Sequence, residues 1–362
     1  MEVQNSVIST FNELVDELSS STQLFLCEEL LSSDIGLKMI RMSLDLLNNF
    51  FEKHFSHLKG IKAEELFKTF SLLLQALQDE DFVKNIYKLI TQIFDEEEAC
   101  VSDAVKTPLA EHIIFELKKD PSNAPIWKTG ALDKMVFRAS KADTSKLLDM
   151  GILDVCVGLL KNDELEAKGH GVYAINNLLS EHESRKDGTE HPLGNSLRNC
   201  GADALLVNLM NEEDVLLGYK HAAALCVGAM LQGKAANEQT QGAVVILKKL
   251  VENGEDFQVR MALMRLRLMA VVEENHALIL MDDFLSVLKR VYMNTTDTFT
   301  LRHSIQLLIN LISEGTLSTI SKVKENVVPR RLIELTSHSD QFVRSRAISL
   351  CSLCEIPLST SK

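Results

Sequence analysis

The sequence predicts an all-helical solenoid of about eight tandem repeats. Two registers and one composition lead there. The first register is an apolar residue followed by a basic one at the start of a helical run: Val259-Arg260, Leu301-Arg302 and Val343-Arg344 follow one another at 42-residue intervals. The same pair extends backwards through Leu37-Lys38, Val83-Lys84, Trp127-Lys128, Ala167-Lys168 and Tyr219-Lys220. A fixed period near 42 marks stacked helical hairpins, each burying its apolar face against the next. The second register is a set of helix openings, Gly151-Ile152, Gly201-Ala202, Gly242-Ala243 and Asp283-Phe284, the last three 41 residues apart. The composition agrees: 46% of residues are apolar, Leu, Ile, Val and Ala dominate, and only six are proline.

Taken in order, residues 1–60 carry helices around Ile8–Leu18, Leu24–Leu31 and Gly36–Leu58. In the last of these Leu37, Ile40, Leu44, Leu47 and Phe51 keep helical spacing. Ala63–Leu77 and Phe82–Phe94 form the next antiparallel pair across the polar turn at 78–81. Asp95–Glu98 is an acidic cluster at a helix end, which reads as a solvated face. Pro121 and Pro125 bracket a break. We therefore expect irregular N-terminal repeats over 1–125, regular repeats over 126–356 and a short tail at 357–362. In the regular part, polar turns such as 161–163, 211–214, 252–255, 294–297 and 337–340 separate equivalent helices. One interval is long, because Glu181–Asn195 has loop composition, and insertions in repeat arrays map to loops.

The totals exclude several function classes. A net charge of −13 argues against a nucleic-acid groove, which needs a basic stripe. The first residues show no secretory pattern, and no run of 18 apolar residues suggests a membrane span. Seven scattered cysteines read as reduced core residues of a protein of the cytoplasm or nucleus. Cys351-Ser352-Leu353-Cys354 lacks the second cysteine pair that a structural zinc site needs. His54 and His57 share a helix face without an acidic partner. No Gly-rich phosphate loop or nucleophile motif occurs, so we expect no enzyme, no cofactor and no metal.

The stretch Gly201-Ala202-Asp203-Ala204-Leu205-Leu206-Val207-Asn208-Leu209-Met210 resembles the second-helix opening of the armadillo-repeat family. Tyr173-Ala174-Ile175-Asn176-Asn177-Leu178-Leu179 looks like its third-helix core, with Asn177 as the ladder asparagine, and Ile309-Asn310-Leu311-Ile312 repeats it. An acidic residue three positions before the apolar–basic pair, as in Asp34, Glu80, Asp256 and Asp340, is similar to HEAT repeats. The resemblance covers nearly the whole chain. It implies a right-handed superhelix that binds protein along its concave side, lined by third helices. The ladder position is Gly228 in one unit and Ser352 in the last, and the single tryptophan, Trp127, is not on a ladder.

Carried onto this chain, the resemblance gives a candidate partner-binding stripe of His170, Tyr173, Asn177, His221, Arg265, His303, Gln306 and Asn310. Its amides would pair with the main chain of an extended peptide. Asn177 and Asn310 could equally tie adjacent helices together. The basic members Lys84, Arg260, Arg302 and Arg344 are expected to pair with acidic residues of neighbouring turns, such as Asp256 and Asp340. The expected protein is a monomeric scaffold, adaptor or regulatory subunit with a protein or peptide partner. Two rivals are a nucleotide-exchange co-chaperone and a nuclear-import cargo adaptor.

Overall fold

A computed structural model describes residues 2–26, 34–54, 63–77, 79–96, 98–182 and 188–358. Among these residues all regular structure is helical. The chain divides into two compact units, Met1–Glu181 and His182–Lys362. That division follows where contacts gather. The boundary expected at 125/126 concerns how regular the repeats are, which is a different property.

The first unit holds α1 (Glu2–Leu26), α2 (Asp34–His54), α3 (Glu64–Ala76), α4 (Glu80–Glu96), α5 (Glu98–Lys106), α6 (Pro108–Lys119), α7 (Ile126–Arg138), α8 (Lys141–Asp149), α9 (Ile152–Leu159) and α10 (Leu165–Glu181). The expected helices at 8–18 and 24–31 are one continuous helix as far as Leu26, and residues 27–31 lie outside the described residues. The helix expected to reach Leu58 is described only to His54, and His57 of the paired histidines also lies outside. The helices stack in two rows. α2, α4, α7 and α10 pack side by side, and behind them run α1, α3, α6 and α9. Between the rows sit Phe67, Phe70 and Phe94, all fully buried, with the Phe67 and Phe94 rings 5.6 Å apart. Each such ring contributes about 1.5–3 kcal/mol by leaving water.

The second unit holds α11 (Gly194–Asn199), α12 (Ala202–Asn211), α13 (Leu217–Met230), α14 (Gln241–Asn253), α15 (Asp256–Met269), α16 (His276–Leu280), α17 (Phe284–Asn294), α18 (Thr298–Ser313), α19 (Leu317–Asn326), α20 (Pro329–Leu335) and α21 (Gln341–Leu353). Its front row is α13, α15, α18 and α21, backed by α12, α14 and α17. The expected openings at 151 and 201 are left-handed residues: Gly151 has φ of 89° and Gly201 of 74°, which only glycine adopts without penalty. Asp283 takes the same role before α17 with φ of 55°, and Asp282 before it has φ of 58°. Two non-glycine left-handed residues cost about 1–2 kcal/mol each. Buried Lys248 of α14 offsets this. Its Nζ donates to the Met281 carbonyl at 2.7 Å and lies 3.4 Å from the Asp282 carboxylate.

Of the acidic residues that recur three before the apolar–basic pairs, Asp340 is a helix cap, whereas Glu80 and Asp256 stand in first turns, each directly after the residue that caps, Asp79 or Glu255. Asp297 and Asp340 cap α18 and α21, accepting from Thr300 N and Val343 N at 2.8 Å each. Asp79 does the same for Phe82 N at 3.0 Å ahead of α4. Each of these carboxylates also meets an arginine of the preceding front-row helix: Arg41–Asp79 at 3.7 Å, Arg260–Asp297 at 3.0 Å and Arg302–Asp340 at 3.4 Å. Arg302 thus has the acidic partner expected of it. Arg260 likewise pairs with an acidic residue of the neighbouring turn, Asp297, whereas Arg344 donates to the His338 carbonyl at 2.6 Å. Exposed pairs of this kind are worth well under about 1 kcal/mol each, so their main effect is on register. Of the cysteines described, Cys100, Cys156, Cys226 and Cys351 are buried, Cys354 is half-buried and Cys200 is exposed.

Candidate functional site

In the first unit the exposed side of the front row is built by helical periodicity. On α7 it carries Gly130, Lys134 and Phe137, and on α10 His170, Tyr173 and Asn177, each set spaced three or four residues apart. Thr129 Oγ1 and His170 Nδ1 lie 2.8 Å apart and hold the two helices in register. Burial keeps the His170 imidazole below its ordinary pKa, so it is neutral at pH 7. Phe137 and Tyr173 are exposed, whereas His170 and Asn177 are half-buried. Lys134 reaches Asp95 of α4 at 2.6 Å, and Arg138 donates to the Asp95 carbonyl. His170, Tyr173 and Asn177 therefore share one face of α10 by helical spacing, and α7, which carries exposed Phe137, packs against that helix.

The residue before Asn177 behaves differently. Asn176 is buried, and its Oδ1 has no hydrogen-bond partner. It stands nine positions after Ala167, as Asn310 stands nine after Leu301. Counting from the apolar member would have picked out Asn176 as the equivalent of Asn310. Asn177 lies about 100° round the helix, on the accessible side.

Next to Lys134 on α7 stands a half-buried acid, Asp133. Asp133 Oδ1 is buried without a partner, and burial pushes the carboxyl up to about 7. The Lys134 ammonium opposes that rise and the Asp95 carboxylate adds to it. A carboxyl whose folded pKa exceeds its unfolded value of 3.8 holds a proton that the unfolded chain has lost. Its contribution is complete below pH 3.8 and fades as pH rises through 7. Asp133→Asn is therefore expected to raise the urea midpoint at pH 8 and leave it nearly unchanged at pH 4. Equal effects at both values would show that Asp133 is ionised throughout.

In the second unit the remaining candidates are placed deeper. His221 on α13 is half-buried. Arg265 on α15 is completely enclosed, and His303 and Asn310 on α18 are buried. Asn310 Nδ2 donates to the Arg267 carbonyl of α15 at 2.9 Å, and its Oδ1 accepts from Gln306 Nε2 at 2.7 Å. Gln306 Oε1 accepts from Arg346 Nε of α21 at 2.7 Å. This chain of bonds crosses three successive front-row helices. His303, Gln306 and Asn310 thus cluster, whereas His221 lies two helices away. α13 is buried from Ala222 onward and α15 from Met261 onward, on all sides. Among the described residues no group of three or more His, Cys, Asp or Glu side chains converges to hold a metal. Nor is any described helix long and apolar enough to cross a membrane.

No family model matches the chain, and no curated protein matches it. Solved structures do. A designed armadillo repeat protein, 20% identical, aligns with a TM-score of 0.52 over 67% of this chain and 99% of its own. An engineered protein from a structural genomics programme, 16% identical, aligns with a TM-score of 0.59 over 98% of this chain and 94% of its own. A further designed armadillo repeat protein, in complex with the peptide (KR)4, is 19% identical with a TM-score of 0.50, over 67% of this chain and 99% of its own. The chain has an armadillo-type repeat fold, an all-helical solenoid among the described residues.

Proposed function

We propose that this protein is a non-enzymatic scaffold or adaptor that binds an extended polypeptide on the third-helix face of its first unit. The observation that carries the reading is the juxtaposition on α7 and α10 of Phe137, Tyr173, His170 and Asn177. Two exposed aromatic rings supply contact area at low entropic cost, and an amide beside them can pair with a peptide backbone. The buried placement of Arg265, His303 and Asn310 gives them a positioning role, fixing how α15, α18 and α21 stack. A solved relative in complex with (KR)4 supports a peptide ligand. The net charge of −13 favours a basic one through faster encounter. The cytoplasm or nucleus remains the expected compartment, and the expected state is a monomer.

The test is selection of dodecamer peptides from a random display library on the full chain, with (KR)4 as a defined basic probe. Enriched peptides are expected to bind at micromolar levels and to lose roughly tenfold or more against Tyr173→Ser combined with Asn177→Ala, about 1.4 kcal/mol. An absence of enrichment, or equal binding to that variant, overturns the reading.

A further inference from the structure

A cavity of about 450 Å³ opens in the first unit among α3, α4, α6 and the first turn of α7. No residue of the stripe on α7 and α10 lines it. Tyr87 of α4 forms part of its wall, fully buried, with a hydroxyl that has no hydrogen-bond partner. Burial holds the phenol well above its ordinary pKa, and the Glu116 carboxylate on the same wall adds to the rise. The hydroxyl is therefore a donor at neutral pH, and a buried donor left unsatisfied is destabilising. The Tyr87 ring packs edge-on against Trp127 of α7, with centroids 5.2 Å apart. Lys128, next along α7, holds its ammonium 5.9 Å from the centre of the Tyr87 ring, 5.4 Å from that of Trp127 and 3.6 Å from Glu116. Lys119 of α6 grips the other Glu116 oxygen. α7 itself begins in this wall at Pro125, with no side chain capping it.

We propose that this cavity binds a small organic carboxylic acid with an apolar body. Three observations choose the head group. The place where a cation would sit, between two aromatic rings and a carboxylate, is already filled by Lys128. The side-chain charges on the wall balance, Glu80 and Glu116 against Lys119 and Lys128, which leaves the positive end of the α7 dipole as the surplus. Burial keeps His112 neutral, so it adds to neither side. What remains unused is donor capacity. It comprises the Tyr87 hydroxyl, the first amides of α7, which have no partner within the helix, and the spare hydrogens of two ammonium groups. An oxyanion answers all of these, and a charge-assisted hydrogen bond is roughly twice as strong as a neutral one. The rest of the lining chooses the body. Leu74, Leu77, Val83 and Pro125 stand there with the Trp127 indole. A hollow of about 420 Å³ shares Leu74 and His112 with the cavity and reaches Phe115, so the body has room to extend. Volumes of this order suit a small molecule.

Trp127 is the only tryptophan of the chain, so its fluorescence reports on this cavity alone. The experiment titrates the full chain with three probes that share one body: hydrocinnamate, hydrocinnamide and phenylpropylamine, which carry an anion, a neutral amide and a cation. Hydrocinnamate is expected to shift the Trp127 emission and to saturate below millimolar concentration. The amide and the amine should bind at least about tenfold more weakly. Tyr87→Phe should weaken hydrocinnamate by about three- to tenfold. It should leave the urea midpoint of the ligand-free chain unchanged or higher, because it deletes a hydroxyl that bonds to nothing. Glu116→Gln should tighten hydrocinnamate binding, since two lysines lose a competing carboxylate, whereas a cationic ligand would respond in the opposite sense. The Tyr173→Ser, Asn177→Ala variant should bind hydrocinnamate as the parent does, which separates this cavity from the peptide surface. The proposal falls if hydrocinnamate binds no better than hydrocinnamide, or if phenylpropylamine binds best. It falls equally if Tyr87→Phe binds as tightly as the parent. A peptide with a free C-terminal phenylalanine that binds where hydrocinnamate does not would assign the cavity to a polypeptide terminus and overturn it.

Discussion

Gly171→Val is expected to lower the stability of the protein by about 3 kcal/mol, as an overpacked helix crossing. Gly171 lies where α10 rests on α9, and a Cβ there would stand 2.9 Å from Leu159 Cβ and 3.0 Å from the Cys156 carbonyl oxygen. The second of these is backbone and cannot swing aside. Replacing glycine with alanine inside a helix gains up to about 1 kcal/mol of propensity, so at position 171 two effects compete and the contact wins. Gly130 of α7 reverses the balance. Its added Cβ would meet only His170 Cε1 at 3.6 Å, an ordinary contact. Gly130→Ala should therefore stabilise by about 0.5–1 kcal/mol. Urea denaturation followed by circular dichroism reads both. A Gly171→Ala variant as stable as the parent would refute the close crossing.

The second large effect is acid sensitivity centred on His303. Burial depresses this imidazole to about 3, and the Arg267, Arg346 and Arg302 guanidinium groups add to the fall. Its Nδ1 is buried without a hydrogen-bond partner. The ordinary value is 6.5, so between about 3 and 6.5 the unfolded chain binds a proton that the folded chain refuses. Stability is then fully present above pH 6.5 and declines as pH falls towards the folded value. From pH 7.5 to pH 5 the loss is about 2 kcal/mol from this residue alone. Burial lowers His112, His170 and His221 as well, and they add in the same direction. His303→Gln should remove the largest share. If parent and variant lose stability equally between pH 7.5 and 5, His303 is protonated in the folded state and the assignment fails.

The architecture was legible because helical hairpins repeat their needs. Every repeat requires a start, a turn and a register lock, and those needs recur as acid, polar turn and arginine near a 42-residue spacing. Gly151 and Gly201 were readable as openings because a left-handed residue has few substitutes, yet Asp283 shows that a buried lysine can stand in for absent glycine. The candidate stripe was less legible. Its face depends on helical phase, and a slip of one residue turns a side chain by about 100°. The count that reached Asn310 through nine positions reached Asn177 through ten, and so passed over buried Asn176. Arg265 reads as polar in sequence, but burial of α15 on every side from Met261 onward is a tertiary property that no local pattern announces.

The capping aspartates have a further consequence. Asp297 and Asp340 each hold the first turn of their own helix and an arginine from the helix before, so one carboxylate serves two neighbours in a fixed order along the chain. Damage at such a point travels asymmetrically. Losing Asp340 would fray the start of α21 and release Arg302 upstream, while Asp297, one step earlier, would keep its own grip. Amide exchange should then quicken at the start of α21 and spare that of α18, giving the array a direction in which it unzips.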